Sequence, residues 1–135
     1  MQREETLIIL KPDAIKRKLV GEIIKRIEDK GYFISSMFMK TLTVEDLNYH
    51  YNEHKNKGFF PDLVEYMSSG PVIIMVVNGE DVIKGMRKLS GATDPMEAEI
   101  GSIRGTYANT KNENLIHSSD SVESAKREIT FFLNQ

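Results

Sequence analysis

Three histidines carry the most versatile chemistry in this chain, and their settings differ. His117 lies in "NLIHSSDSVESAKREITFFL", residues 114–133, after a short apolar pair and before hydroxyls and an aspartate. There a strand pattern gives way to a helix pattern, and N–H groups at a helix N-terminus favour anions. Glu128 follows Ser121 by seven residues, two helical turns. At 100° per residue it falls beside the apolar stripe of that helix rather than opposite it. A carboxylate facing inward there can hold an imidazole and decide which ring nitrogen is free, the arrangement of an activated histidine. Spacing alone leaves His117 three roles: nucleophile, metal ligand, or ordinary residue at a strand end. For Glu128 the competing role is a surface carboxylate.

The other two histidines stand in "HYNEH", residues 50–54. The pattern fits H-x-x-E-H, a zinc motif with both histidines on one helix face. Enzymes built on it need a third ligand and a large substrate chamber, for which 135 residues leave little room. Two partly exposed helix histidines are the simpler reading. Neither G-x-x-x-x-G-K-[ST] nor G-x-G-x-x-G occurs, so any phosphate site must be built from side chains. Cations near turns are available for one. Lys11 ends the first apolar run, Arg87 precedes a long loop, and Arg104 sits within it in "GSIRG". Arginine suits planar, bidentate phosphate recognition, although each cation taken singly reads as a solvated charge. Tyr51 and Phe59 flank a helical pair, with core packing as the alternative role.

The elements that must position these groups follow from periodicity. "TLIIL" (6–10) reads as a buried strand stopped at Pro12, which has no N–H for a sheet. Val20, Ile23, Ile24 and Ile27 fix an amphipathic helix over 20–30, with Gly31 as its C′ residue. "YFISSMFMKTL" (32–42) is a second, poorly alternating strand. "TVED" (43–46) is a capping box that starts a helix running to about His54. Phe60, Leu63, Val64 and Met67 predict a helix over 60–68. "VIIMVV" (72–77) is a central strand covered on both faces. Val82, Met86 and Leu89 suggest a helix at 81–89, and 90–113 reads as a long loop of the kind that is often functional. "NLIH" is a short last strand. A helix capped by Asp120 or Ser121 then places Val122, Ala125, Ile129 and Leu133 in the core.

The order is β-α-β-(α-α)-β-α-loop-β-α. Without the inserted pair this is βαββαβ, the ferredoxin-like split βαβ pattern, with a terminal helix. The fold class is therefore α+β, an α/β sandwich on a four-stranded antiparallel sheet, in a single domain spanning 1–135. Apolar content of 40% and charged content of 28% are those of a globular protein. A net charge of −2 argues against a general nucleic-acid coat or a polybasic membrane binder, while allowing a local basic pocket. The lack of cysteine excludes disulfides and thiolate sites and fits a reducing compartment. No apolar run is long enough for a signal-peptide core or a bilayer span, so a cytoplasmic protein without a membrane partner is expected.

Seven segments then bear a family likeness: "IILKPDAIKRKLVGEII", "HY" (50–51), "FF" (59–60), "YMSSGPV", "GATDP", "IRG" (103–105) and "NLIHSSDSVESAKREI". In order and spacing they resemble nucleoside diphosphate kinase over essentially the whole chain. The resemblance implies a ferredoxin-like fold with an inserted helical hairpin. It also implies ping-pong transfer of a γ-phosphoryl group between nucleoside triphosphates, typically ATP, and nucleoside diphosphates. His117 would be the nucleophile, Glu128 would accept a hydrogen bond from its other nitrogen, and Ser119 would support the pair. Lys11, Tyr51, Arg87, Thr93 and Arg104 would surround the phosphates, with Lys11 and Asn114 also reaching the sugar. Phe59 would stack on the base beside Leu63. Mg²⁺ would arrive on the phosphates rather than in a protein cage. A homo-oligomer is implied, a hexamer favoured over a tetramer. The alternative is a catalytically silent nucleotide-binding or regulatory member, whose expected signature is loss of His117, Lys11 or Arg104; all three are present. The chain departs from the family pattern at Ser118, where glycine is usual, and at Ile100, Thr106 and Lys111.

Overall fold

The computed structural model describes residues 3–52 and 56–135. The elements run β1 (Arg3–Leu10), α1 (Pro12–Lys16), α2 (Val20–Asp29), β2 (Phe33–Lys40), α3 (Val44–His50), α4 (Phe60–Met67), β3 (Val72–Glu80), α5 (Val82–Ser90), α6 (Ile103–Tyr107), β4 (Ile116–Ser118) and α7 (Val122–Leu133). One antiparallel sheet has the order β2-β3-β1-β4. This is the expected ferredoxin-like arrangement, with α3 and α4 as the inserted pair. The helix expected to run to about His54 ends earlier, at His50, where Tyr51 leaves helical geometry as its C-cap; His54 itself lies outside the described residues.

Strand alternation divides the core into two layers. Ile8 and Leu10 of β1, with Met75 and Val77 of β3, pack on α2 and α5. Leu7, Ile9, Ile74 and Val76 face the opposite way, onto α4 and α7. The unbroken apolar runs of β1 and β3 are thus those of strands covered on both faces. β2 is an edge strand. Its irregular pattern has two causes: a register shift between Ile34 and Ser36, and a row of exposed side chains that includes Phe33, Met37 and Met39. The shift turns Ser35 towards the backbone, where its hydroxyl approaches the Val76 carbonyl and accepts from Asn78.

Three features differ from the sequence reading. The chain after β1 turns at once into α1, with Pro12 in the first helical turn, where its missing N–H is harmless. Five residues are too few for a periodic signal. The 90–113 segment is not all loop: Ser102 caps α6, its hydroxyl accepting from Gly105 N at 3.0 Å, and Arg104 rides on that turn. In α7 the inward stripe is Ala125, Glu128 and Phe132, while Val122 and Leu133 are exposed and Ile129 is half-buried. The helix is rotated towards Glu128 because its carboxylate finds hydrogen-bond partners inside.

The Thr43 capping box forms as expected: the Thr43 hydroxyl accepts from Asp46 N at 3.0 Å and Asp46 accepts from Thr43 N at 3.0 Å. Thr43→Ala is expected to lower unfolding stability by about 1 kcal/mol, read as a lower denaturant midpoint at unchanged slope. An unshifted midpoint would mean that α3 is held by its packing alone.

Candidate active site

β4 pairs with β1 so that His117 stands opposite Ile9. Alternation sends its side chain to the α3, α4 and α7 layer. From α7, Glu128 meets it: Oε1 lies 2.9 Å from His117 Nε2. The same oxygen accepts from the Ser119 hydroxyl at 2.8 Å, and that hydroxyl accepts from Leu7 N at 3.1 Å. A relay thus runs from the β1 backbone through Ser119 and Glu128 to one edge of the imidazole. Because the carboxylate accepts, Nε2 carries the proton and Nδ1 keeps its lone pair. Ser118, one residue on, alternates to the other layer, where its hydroxyl lies 3.4 Å from that of Ser90 on α5. A side chain where glycine is usual therefore does not crowd the imidazole from that side.

The positive wall is fixed with equal care. Arg104 is buried, and its guanidinium donates to three carbonyls: Gly91 at 2.7 Å, Asn114 at 3.3 Å, and Ile116. Gly91 has φ +91°, and a Cβ there would come 2.4 Å from the Ser102 hydroxyl. Only glycine lets the loop after α5 bring its carbonyl to Arg104 against the α6 cap. Asn114 ties the remaining parts together. Its Oδ1 accepts from Lys11 Nζ at 2.6 Å and its Nδ2 donates to the Thr93 carbonyl at 3.0 Å. Leu115, buried with φ +76°, makes the left-handed turn between Asn114 and β4. A left-handed non-glycine residue is held only where surrounding contacts over-determine it. Lys11 is placed by the β1–α1 turn, which is pinned by Asp13: its carboxylate accepts from the Tyr66 hydroxyl, and its N–H donates to that oxygen at 3.1 Å.

These groups line one cavity of about 940 Å³. Of the residues named from the sequence, Lys11, Tyr51, Phe59, Leu63, Arg87, Thr93, Arg104, Asn114, His117 and Glu128 all border it, and Ser119 lies behind Glu128. Phe59 is half exposed and stands with buried Leu63. Of the departures, Lys111 borders the cavity and pairs with Asp94 at 3.8 Å, Ile100 is fully exposed, and Thr106 sits on the exposed side of α6. Sequence reasoning did not place Arg127 or His50 at the site. Arg127 is anchored by Tyr49, over whose ring it lies 4.3 Å from the centroid. His50 sits with its ring 4.5 Å from that of His117. Their signal was weak: an arginine on a helix flank, and a histidine whose nearest sequence partner was His54.

Burial and like charge set the electrostatics. Burial, with Arg104 next, pulls the Lys11 ammonium down to about 7, while Asp13 opposes the shift. Burial and then Arg87 lower Arg104 to about 10. Burial lowers His50 well below the ordinary imidazole value, and the nearby cations Arg127 and Lys11 add to the shift. Burial raises the Tyr51 hydroxyl, and Glu128 adds to it. An anion-seeking pocket with a histidine at its floor thus occurs in a chain of net negative charge.

A family model described as nucleoside diphosphate kinase matches residues 4–135. The chain belongs to the nucleoside diphosphate kinase family. It is 55% identical over 130 residues to the nucleoside diphosphate kinase of Streptomyces coelicolor, covering 96% of this chain and 95% of that one. To that of Saccharolobus solfataricus it is 47% identical over 135 residues, covering 100% and 98%. The crystal structure of the Encephalitozoon cuniculi nucleoside diphosphate kinase superposes with a TM-score of 0.95 at 42% identity, covering 98% of this chain and 90% of that one. The Aquifex aeolicus enzyme gives 0.91 at 42%, covering 96% and 94%. The chain's enzymatic activity is that of the family, nucleoside-diphosphate kinase.

The lowered Lys11 has a measurable consequence. Polyphosphate placed beside it would favour the ammonium form, so nucleotide binding above pH 7 is expected to draw a proton from solution. At pH 8, calorimetric titration with ADP in buffers of different ionisation enthalpy should report net proton uptake of up to about one per site. Lys11→Met should abolish most of it; unchanged uptake would assign the proton to another group. The sign for the empty protein follows. Lys11 binds fewer protons folded than unfolded between about pH 7 and its ordinary value of 10.5, so its contribution to stability rises with pH across that window.

Proposed function

We propose that His117 Nδ1 is the nucleophile of a ping-pong phosphoryl transfer, and that the other named cavity residues bind the nucleotide. The observation that carries this reading is the 2.9 Å contact between His117 Nε2 and Glu128, which leaves Nδ1 as the unprotonated nitrogen at the floor of a cationic cavity. In the first half-reaction the Nδ1 lone pair attacks the γ-phosphorus. The Nδ1–P bond forms, the bond from phosphorus to the β,γ-bridging oxygen breaks, and the nucleoside diphosphate leaves with that electron pair. In the second, a β-phosphate oxygen of another nucleoside diphosphate attacks, and the N–P bond breaks back to the imidazole. Positive charge developing on the ring is met by Glu128, held in place by Ser119.

Transfer of this kind rests on positioning and charge. Arg104 and Lys11 reach the phosphates from fixed positions, while Arg87, Thr93 and Tyr51 complete the wall. Lys11 and Asn114 extend to the sugar. Phe59 stacks on the base, with Leu63 beside it. Every base has a π-face, so one platform accepts several bases, as a single pocket serving donor and acceptor in turn requires. Mg²⁺ enters as part of the substrate, on the nucleotide phosphates. The carboxylate of the cavity floor is engaged with His117 and Ser119, and the adjoining imidazoles are poor ligands for a cation that prefers oxygen. We further read the protein as a cytoplasmic homo-oligomer, a hexamer rather than a tetramer. The apolar row Phe33, Met37 and Met39 on the open β2 edge supports association. Among the described residues no helix is long and apolar enough to cross a membrane.

Incubation with γ-labelled ATP and Mg²⁺ should give acid-labile, alkali-stable protein label that chases onto added GDP, and His117→Ala should give none. Labelling of His117→Ala at the wild-type rate would overturn the mechanism. Glu128→Ala should lower kcat by roughly 10²–10³-fold, the scale of losing one preorganised electrostatic partner, with nucleotide Kd nearly unchanged. A selective loss of binding would contradict its orienting role.

A further inference from the structure

His50 has no task in the transfer scheme, yet it is 8% exposed and neither ring nitrogen has a hydrogen-bond partner. A buried polar group left unpaired costs about 1–3 kcal/mol. Around it, one donor atom each from His50, His117 and Glu128 lie within 4.8 Å of one another, the cluster of this kind found among the described residues.

We propose that His50, His117 and Glu128 form a site for one Zn²⁺ ion, or a similar borderline transition-metal ion, and that filling it stops transfer. Two imidazoles and a carboxylate with a fourth position open are a zinc donor set. Zinc–ligand bonds of about 2.0–2.2 Å put tetrahedral donors about 3.3–3.6 Å apart. Donors now within 4.8 Å of one another must therefore close by up to about 1.5 Å, while the 2.9 Å pair of His117 Nε2 and Glu128 Oε1 must open slightly if zinc takes Nε2. Turning of the His50 ring and the Glu128 carboxylate about their side-chain bonds is the movement the site requires. Ser119 and Leu7 already stand behind Glu128 as the outer contacts that a ligating carboxylate uses. Mg²⁺, which favours six oxygens, does not compete for two imidazoles.

The inhibition rests on the nucleophile reading; the binding does not. A neutral imidazole has one N–H and one lone pair. Zinc on His117 Nδ1 takes the lone pair directly. Zinc on Nε2 displaces the proton now shared with Glu128, and the neutral ring carries it on Nδ1 instead. Either way no lone pair is left for phosphorus.

The test uses nucleotide-free full-length protein titrated with Co²⁺ and then Zn²⁺. One equivalent per chain should bind. Co²⁺ should give the intense visible absorption of four-coordination, and Zn²⁺ should displace it. Affinity should fall at least roughly tenfold in both His50→Ala and His50→Gln, and should hold in His54→Ala. Wild-type protein that binds no stoichiometric zinc overturns the site, as does affinity that survives both His50 variants or disappears with His54. After removal of free zinc, labelling by Mg²⁺–ATP should fall in proportion to bound metal and return on chelation. In His50→Gln it should be insensitive to the same treatment relative to that variant's own metal-free rate. Undiminished labelling with zinc bound overturns the blocking role. Zinc binding with this histidine dependence in a protein whose metal-free form never labels supports the site and overturns the phosphohistidine reading instead.

Discussion

The site depends on a carboxylate kept in the protein interior. Glu128 is 7% exposed, and an ionised side chain at such depth is costly unless it is paired and hydrogen-bonded. Its partners come from separate parts of the chain. His117 is brought by β4, and Ser119 by the turn after β4, with the Leu7 backbone behind it. The carboxylate therefore joins the edge strand to α7 as well as orienting an imidazole. It also explains the rotation of α7, which turns Glu128 inward and Val122 and Leu133 outward.

The cationic wall answers a different constraint. Arg104 and Lys11 are both buried, and without anions they repel. Their hydrogen-bond partners are dipoles rather than counter-ions, three backbone carbonyls on Arg104 and the Asn114 amide oxygen on Lys11, and the Asp13 carboxylate offsets only part of the effect on Lys11. Aiming those carbonyls requires unusual backbone, left-handed at Gly91 and Leu115. A carboxylate in the same position would neutralise the wall and compete with phosphate. Partial charges orient the cations while leaving their attraction for an anion in place.

Periodicity made the large elements legible. The unbroken runs in β1 and β3 and the helical spacing in α2, α4 and α5 follow from burial of one or two faces, which sequence pattern reports directly. The capping box at Thr43 was equally readable, because its chemistry is local. Short elements were not: α1 and α6 have five residues each, too few for a period, and their starts depend on Pro12 and Ser102. The α7 stripe was misread because an inward glutamate looks like an interruption in an apolar pattern. At the site, His117 and Glu128 drew attention through their positions. The family likeness, rather than spacing, singled out Asn114 and Thr93 from many similar residues, whereas Arg104 was already marked as a cation between two glycines of a long loop. His50 was visible only with the wrong companion, since His117 is 67 residues away in sequence but its ring is 4.5 Å away in space.

The cavity's cations fall into two sets that act at different distances. Arg87 and Lys111 are exposed at the cavity, whereas Lys11 and Arg104 are buried. Field lines from the exposed pair reach into solvent for about a Debye length, roughly 8 Å at physiological ionic strength. Those from the buried pair are confined to the pocket, and Lys11 is only partly charged near pH 7 while the pocket is empty. On the proposed placement of the nucleotide, capture and retention are thereby separated: added salt would slow arrival by screening the rim, yet would hardly alter how long the nucleotide stays, because Lys11 and Arg104 are shielded from the ions outside.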